Sequence, residues 1–268
     1  MLSIIGTALN MGALGIMFPI IMLPLAKLIA ARFDRSQFVQ NFIWFVLTLG
    51  SAFLLAILLR LSPGLKIPPS SAVFLTLGGG LTGLSAFFAL TSGINLWTDR
   101  LSNIARQLAI RVGTGVMWLI LVMALVQFTI VILRYVFGIS FIWMQESILY
   151  LHGAVFLLAA GYALTTDDHV RVDLFYREAS ETRKAWVNLF GTYGLLIPVC
   201  FLILWAGAPY VFASWDATEG SNESSGVQLL FILKSLIPAF AVFMLLAGVD
   251  LANRAVSGPL GYRAGEQS

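Results

Sequence analysis

Arg134, Glu146 and Lys234 are charged side chains set into otherwise apolar stretches of this sequence. Arg134 ends one stretch, Glu146 opens the next, and Lys234 lies one to two turns into the last. Antiparallel neighbours would bring the carboxylate beside a guanidinium or an ammonium. A Glu–Arg or Glu–Lys pair lowers the cost of burying each charge in an apolar medium. Two other readings use the same residues. The long side chains snorkel to polar surroundings, or they dock a partner. A proton or ion relay needs titratable groups along the whole stretch, and the middles of these runs hold almost none.

Other polar groups have local readings. His152 lies in the run opened by Glu146 and is expected to hydrogen-bond a neighbouring helix. His169 follows 17 residues later, about 25 Å along a helix at the standard rise, so the two histidines cannot ligate one haem within this chain. Thr165-Thr166-Asp167-Asp168-His169-Val170-Arg171-Val172-Asp173 is the densest polar motif. In extended form His169, Arg171 and Asp173 share one side. The motif is a solvated loop whose acids cap the next helix, or it is a conformationally fixed hairpin or a docking surface. Asp250 and Arg254 have the i, i+4 spacing of a helical ion pair. Cys200 reads as a small core residue without a partner cysteine. Asn222-Glu223-Ser224 is formally a glycosylation sequon and matters only in a secretory pathway. The sequence presents no nucleophile–base–acid arrangement and no His-x-x-x-His spacing. The expectation is a non-enzyme with no cofactor and no metal.

The elements that carry these residues follow from composition. Hydrophobic residues make up 59% of the 268 and charged residues 11%, with a mean hydropathy of +0.90. Soluble domains carry about 25% charged residues. Half that density cannot solvate a globular surface of this size, so the chain is expected to dissolve in lipid. Its net charge of +3 does not point to nucleic acid, because the bases cluster at the ends of apolar runs. A bilayer core of about 30 Å takes about 20 helical residues. Runs of that length fall at 4–30, 41–61, 72–97, 114–137, 146–166, 186–212 and 227–250. Pro19 and Pro24 predict a kink in the first. Gly78, Gly79, Gly80 and Gly83 predict a packing face or a local bend in the third. Residues 1–26 carry no Lys or Arg, so the first run is expected to be a retained helix rather than a cleaved leader.

The expected fold is therefore an all-α integral membrane protein of about seven transmembrane helices. Two short amphipathic segments, Asp99–Val112 and Leu174–Trp186, are expected to lie as separate helices on the membrane surface. Lys and Arg divide twelve to three between alternate connections, the larger set holding Lys27, Arg100, Arg171, Arg177 and Arg254 among others. The positive-inside rule then puts the C-terminus in the cytoplasm and the N-terminus outside. Trp97, Trp143, Trp186 and Trp215 fall at span ends, as in an aromatic belt. The first three spans are nearly free of polar residues, which divides the chain at about 1–98 and 99–268.

The second part resembles the small membrane (Q, or DctQ-type) subunit of tripartite ATP-independent periplasmic (TRAP) transporters. The resemblance covers roughly Arg111 to Arg254. It rests on Arg134-Tyr135-Val136-Phe137-Gly138, on Trp143-Met144-Gln145-Glu146 opening the next helix, and on Asp168-His169-Val170-Arg171-Val172-Asp173 after it. An amphipathic segment, a helix, an acidic loop and a last helix follow. The loop from Ser214-Trp215 to Gly226, together with Lys234, looks similar to the subgroup associated with oxo-acids and bulkier organic acids. The resemblance implies an accessory scaffold in a secondary, sodium-coupled importer of organic acids in the bacterial inner membrane. Its partners would be a large M-type membrane subunit, which carries substrate and ions, a periplasmic binding protein, and lipid. Glu146, His169, Arg171 and Asp173 match family-typical positions, for which it implies structure and subunit contact. The three added spans are not explained by it. Two other readings remain open: a self-sufficient carrier or channel, which needs a polar path through the helices, and a redox anchor, which needs haem or quinone ligands.

Overall fold

The computed structural model describes residues 17, 19–29, 31, 39–48, 93–168 and 176–260. Most of the expected spans over 41–61 and 72–97 lies outside these residues, as do Gly78, Gly79, Gly80 and Gly83. Among the described residues the regular structure is helical, without a strand. Two shorter apolar helices come first, α1 (Pro19–Ile29) and α2 (Val39–Thr48). They are followed by α3 (Ile94–Val136), α4 (Ile142–Thr166), α5 (Glu181–Asp216) and α6 (Leu230–Ala255). By length and composition α3 to α6 are the four described helices able to cross a membrane. They correspond to the last four runs expected from the sequence. A count of seven is not reached among the described residues.

The two expected surface helices are not separate elements. Asp99–Val112 forms the first part of α3, a continuous helix of 43 residues. At the standard rise it is about 64 Å long, roughly twice the hydrocarbon thickness. The physical reason is that a helix has no cause to stop where its surroundings change from polar to apolar. Ending it leaves four carbonyls without partners, and residues 99–114 hold no proline to force a break. Likewise Arg183 to Trp186 lie in the opening turns of α5, which starts at Glu181 behind an N-cap: the Ser180 side chain accepts from the Arg183 N–H. Within α5, Gly191–Leu196 widens to a π-helical stretch. Pro198, next along, has no N–H to give the carbonyl of Gly194, so the regular ladder cannot continue there.

The chain forms two compact units, one from 106–170 and 196–248, the other from 8–105, 171–195 and 249–268. In the first unit, Leu164, Ile197, Leu204, Val211 and Leu245 are buried, and the helices approach closely at glycines. A methyl group on Gly113 of α3 would overlap the ring of Tyr162 on α4. One on Gly161 of α4 would stand 3.2 Å from both Cβ and the carbonyl oxygen of Phe243 on α6. Small residues let backbones approach where lipid provides no hydrophobic drive between helices. In the second unit α1 is held by side chains from elsewhere. Leu28 packs with Ala185, Leu189, Ala252, Ala255 and Val256, and Leu23 and Ala26 pack with Trp44 of α2. The Tyr193 hydroxyl donates to the Ile21 carbonyl at 2.6 Å, and the Trp44 indole donates to the Pro19 carbonyl at 2.9 Å.

Large apolar side chains face outward throughout: Trp118 is 67% exposed, Phe156 71% and Phe190 72%. Such a surface suits hydrocarbon, not water. Gly161→Leu should separate α4 from α6 and destabilise the detergent-solubilised protein by about 1–3 kcal/mol, the usual cost of overpacking. A thermal scan read by size-exclusion fluorescence measures it; an unchanged midpoint would contradict the close approach.

Candidate functional site

The site lies in the first unit, where α4 begins and where the loop 217–229 joins α5 to α6. Glu146 stands one turn into α4, half-buried. Its Oε1 accepts from the Ser221 hydroxyl at 2.5 Å, and its Oε2 accepts from the Val227 N–H at 2.6 Å. One turn further along α4, the Tyr150 hydroxyl donates to the Val227 carbonyl at 3.3 Å. Both backbone polar groups of Val227 are thereby held by α4. Charge-assisted bonds of this kind are roughly twice as strong as neutral ones. The loop is shaped to admit the carboxylate. Ser221 Oγ also accepts from the Glu223 N–H at 3.1 Å, and the Gly226 N–H donates to the Glu223 carbonyl at 3.0 Å. A methyl group on Gly226 would overlap Ser221 Oγ and stand 2.6 Å from Glu146 Oε2, so any larger residue there must displace the carboxylate or its serine donor.

Lys234 grips the same loop from the other side. Its ammonium pairs with Glu219 and lies 4.0 Å from the ring centroid of Tyr210. The Lys234 ammonium holds the Glu219 carboxyl below the usual glutamate range. Trp215 closes this side: its indole donates to Ser235 Oγ at 2.8 Å, and its ring meets Phe231 edge-on at 4.7 Å. Glu219 adds two backbone bonds, donating its N–H to Ser214 and accepting from the Phe231 N–H. The result is a loop of mixed polarity closed by a carboxylate on one side and an ammonium on the other.

Glu146 and Lys234 therefore converge on one loop and not on each other. Arg134 is exposed in the last turn of α3 and joins neither. Trp143 is half-exposed, its ring 6.3 Å from that of Phe141. His169, Arg171 and Asp173 lie outside the described residues. The loop partners Ser221, Val227, Glu219 and Tyr210 were not singled out from the sequence. Only the acidic character of the loop signalled Glu219, whereas nothing in residue type marks a backbone N–H. His152 departs from expectation. It is exposed, stacks on Phe156 with ring centroids 6.3 Å apart, and makes no hydrogen bond to another helix among the described residues.

A second polar group occupies the other unit. The Lys27 ammonium donates to Asp99 Oδ1 at 3.0 Å, to Ser257 Oγ at 2.8 Å and to Asn253 Oδ1 at 3.5 Å. The Asn253 amide also donates to Asp99 Oδ1, at 3.1 Å. Asp250, buried, accepts from Ser102 at 2.7 Å and pairs with Arg254 at 3.0 Å, the i, i+4 pair expected from the sequence. Lys27 belongs to α1, so this cluster fastens α1 to α3 and α6.

Every described constellation satisfies polar groups that the fold itself brings together. Among the described residues no three His, Cys, Asp or Glu side chains gather as a metal site. The fold and site define a helical membrane protein in which Glu146, Lys234, Lys27, Asp99 and Asp250 are engaged by other parts of the same chain. A family model for the DctQ component of tripartite ATP-independent periplasmic transporters matches residues 122–257. The chain belongs to that family: it is a DctQ-type component of such a transporter, and a transporter component rather than an enzyme. No curated protein and no solved structure matches the chain.

Two outcomes follow from the site. Glu146→Ala leaves the Ser221 hydroxyl and the Val227 N–H without their acceptor and should cost about 1–3 kcal/mol. Glu146→Gln should cost less, and Gly226→Val should behave like the alanine variant; thermal midpoints in detergent rank the three. Because the Glu219 value is lowered, its pairing stabilises the loop above the ordinary glutamate range, and this is lost as pH falls through the lowered value. Limited proteolysis within 217–229 should accelerate below that pH in the wild type, and Lys234→Met should remove the step.

Proposed function

We propose that this chain is the scaffold of a secondary transporter that imports an organic acid, handed over by a periplasmic binding protein and driven by sodium. As a DctQ component it is an accessory subunit. The observation that carries the scaffold reading is the fate of its charges. Glu146, Lys234, Lys27, Asp99 and Asp250 are each engaged by the chain's own loops and helix ends. A carrier needs convergent polar groups and interrupted helices at the bilayer midplane. α3 to α6 supply apolar windows with mean hydropathies of 1.7 to 2.7. Substrate and ions then belong to a large M-type partner subunit.

The proposed topology puts the N-terminus in the periplasm and the C-terminus in the cytoplasm of a bacterial inner membrane, following the distribution of Lys and Arg. The loop 217–229 then faces the periplasm. The chain divides into an N-terminal extension, 1–98, and a small-subunit domain, 99–268, with Lys27 fastening α1 of the extension to Asp99. Trp143 and Arg134, both exposed, fit subunit contact, whereas Glu146 and Lys234 act by shaping the loop. His169, Arg171 and Asp173 are assigned to structure and subunit contact on the family resemblance.

The test is expression from the native gene cluster with extraction in mild detergent. A one-to-one complex with a larger multi-span protein is expected, with uptake in proteoliposomes that needs both chains and the binding protein. Glu146→Lys should lower recovery of the complex several-fold. Solute uptake by this chain alone would overturn the scaffold reading.

A further inference from the structure

α4 is packed on almost every side. Between 144 and 166 its exposed residues are Gln145, Leu149, His152 and Phe156, at spacings of four, three and four. They form one narrow stripe along the helix. α3 differs: from Met117 to Val136 it is exposed around most of its circumference, and its side chains there are apolar apart from Gln127, Thr129, Arg134 and Tyr135. The stripe on α4 alternates polar and large apolar groups, with Leu149 57% and Phe156 71% exposed on either side of His152.

His152 is the informative member. It lies ten residues after Ile142 and fourteen before Thr166, about 15 Å and 21 Å along the helix. Both distances place it within the apolar thickness of about 30 Å. Its imidazole stacks on Phe156 and has no hydrogen-bond partner among the described residues. Acyl chains offer neither donor nor acceptor, and a polar group left unmet in hydrocarbon is strongly unfavourable. Snorkelling is closed to it, because a short imidazole cannot reach a headgroup from that depth. Glu146, Lys234 and Asp250 each find partners within the fold, whereas the imidazole at mid-depth does not, so it marks a surface that is covered in the assembled state.

We propose that the stripe Gln145–Leu149–His152–Phe156 is the seam on which the large membrane subunit lays one of its transmembrane helices. His152 hydrogen-bonds a polar side chain or open carbonyl of that helix. The inference rests on the accessory-subunit reading above. Leu149 and Phe156 provide apolar knobs one turn to either side, and the single polar group between them fixes the register. A lone polar residue in an apolar coiled-coil seam does the same.

The experiment uses the co-expressed complex, with benzoylphenylalanine in place of Leu149, Phe156 or, as a comparison, Leu202, which is 57% exposed on α5. Illumination should join the chain to the large subunit from positions 149 and 156 and not from 202. His152→Leu should weaken association about threefold or more, the scale of an interhelical hydrogen bond in a membrane, and His152→Gln should restore it. A purely apolar seam gives the opposite order, with leucine binding at least as well as histidine, and overturns the proposal. Adducts between two copies of this chain, equal labelling from 202, or no adduct while the wild-type complex co-purifies intact each overturn it and leave the accessory reading standing. If no large membrane subunit co-purifies with the wild-type chain, that reading fails first and takes the proposal with it.

Discussion

In hydrocarbon every polar group must find its partner within the protein. The carboxylate of Glu146 shows how this chain meets that constraint. Placed at the opening of α4, it accepts from a side chain and from a backbone N–H of a loop more than seventy residues away. A loop over the end of a helical bundle has few apolar contacts to order it, and ordering each residue costs about 1–2 kcal/mol of backbone entropy. Two charge-assisted bonds, a glycine that makes room for them, and the Lys234–Glu219 pair offset that cost. The shape of the loop then follows from a handful of contacts rather than from a packed core.

The same economy governs the other unit. Lys27, Asp99, Asn253 and Ser257 satisfy one another, so α1 carries its cation to the ends of α3 and α6 without leaving a charge stranded. On the proposed scaffold role, the subunit needs such fixed points. That role asks for a constant surface toward a partner, and rigid helices with internally paired charges provide one. The long α3 and α5 extend beyond what a bilayer requires and offer polar turns as well as apolar ones to neighbours.

Much of this was legible in the sequence, and the remainder was not for identifiable reasons. The four described spans follow from apolar runs, which lipid demands in any arrangement. The Asp250–Arg254 pair was legible because both residues lie on one helix at a spacing that fixes their distance. Helix ends were less legible: Asp99–Val112 and Arg183–Trp186 differ in polarity from the spans they open, yet hydrogen bonding carries the helix straight through. Glu146 was recognisable as important, but its partners are a serine and a backbone N–H, neither of which stands out by type. His152 shows a different limit. A helix that is apolar all round carries no signal of which side faces its neighbours, so the exposure of one residue depends on packing that the sequence does not display.

Hydrogen–deuterium exchange at the Val227 amide tests the central role of Glu146 most directly. This N–H belongs to no helix and is bonded to a side chain alone. In the wild-type protein it should exchange slowly beside freely exchanging loop amides, and in Glu146→Ala it should exchange at their rate. A wild-type Val227 amide as labile as those of Asn222 and Ser224 would contradict the clasp on which the loop's structure depends.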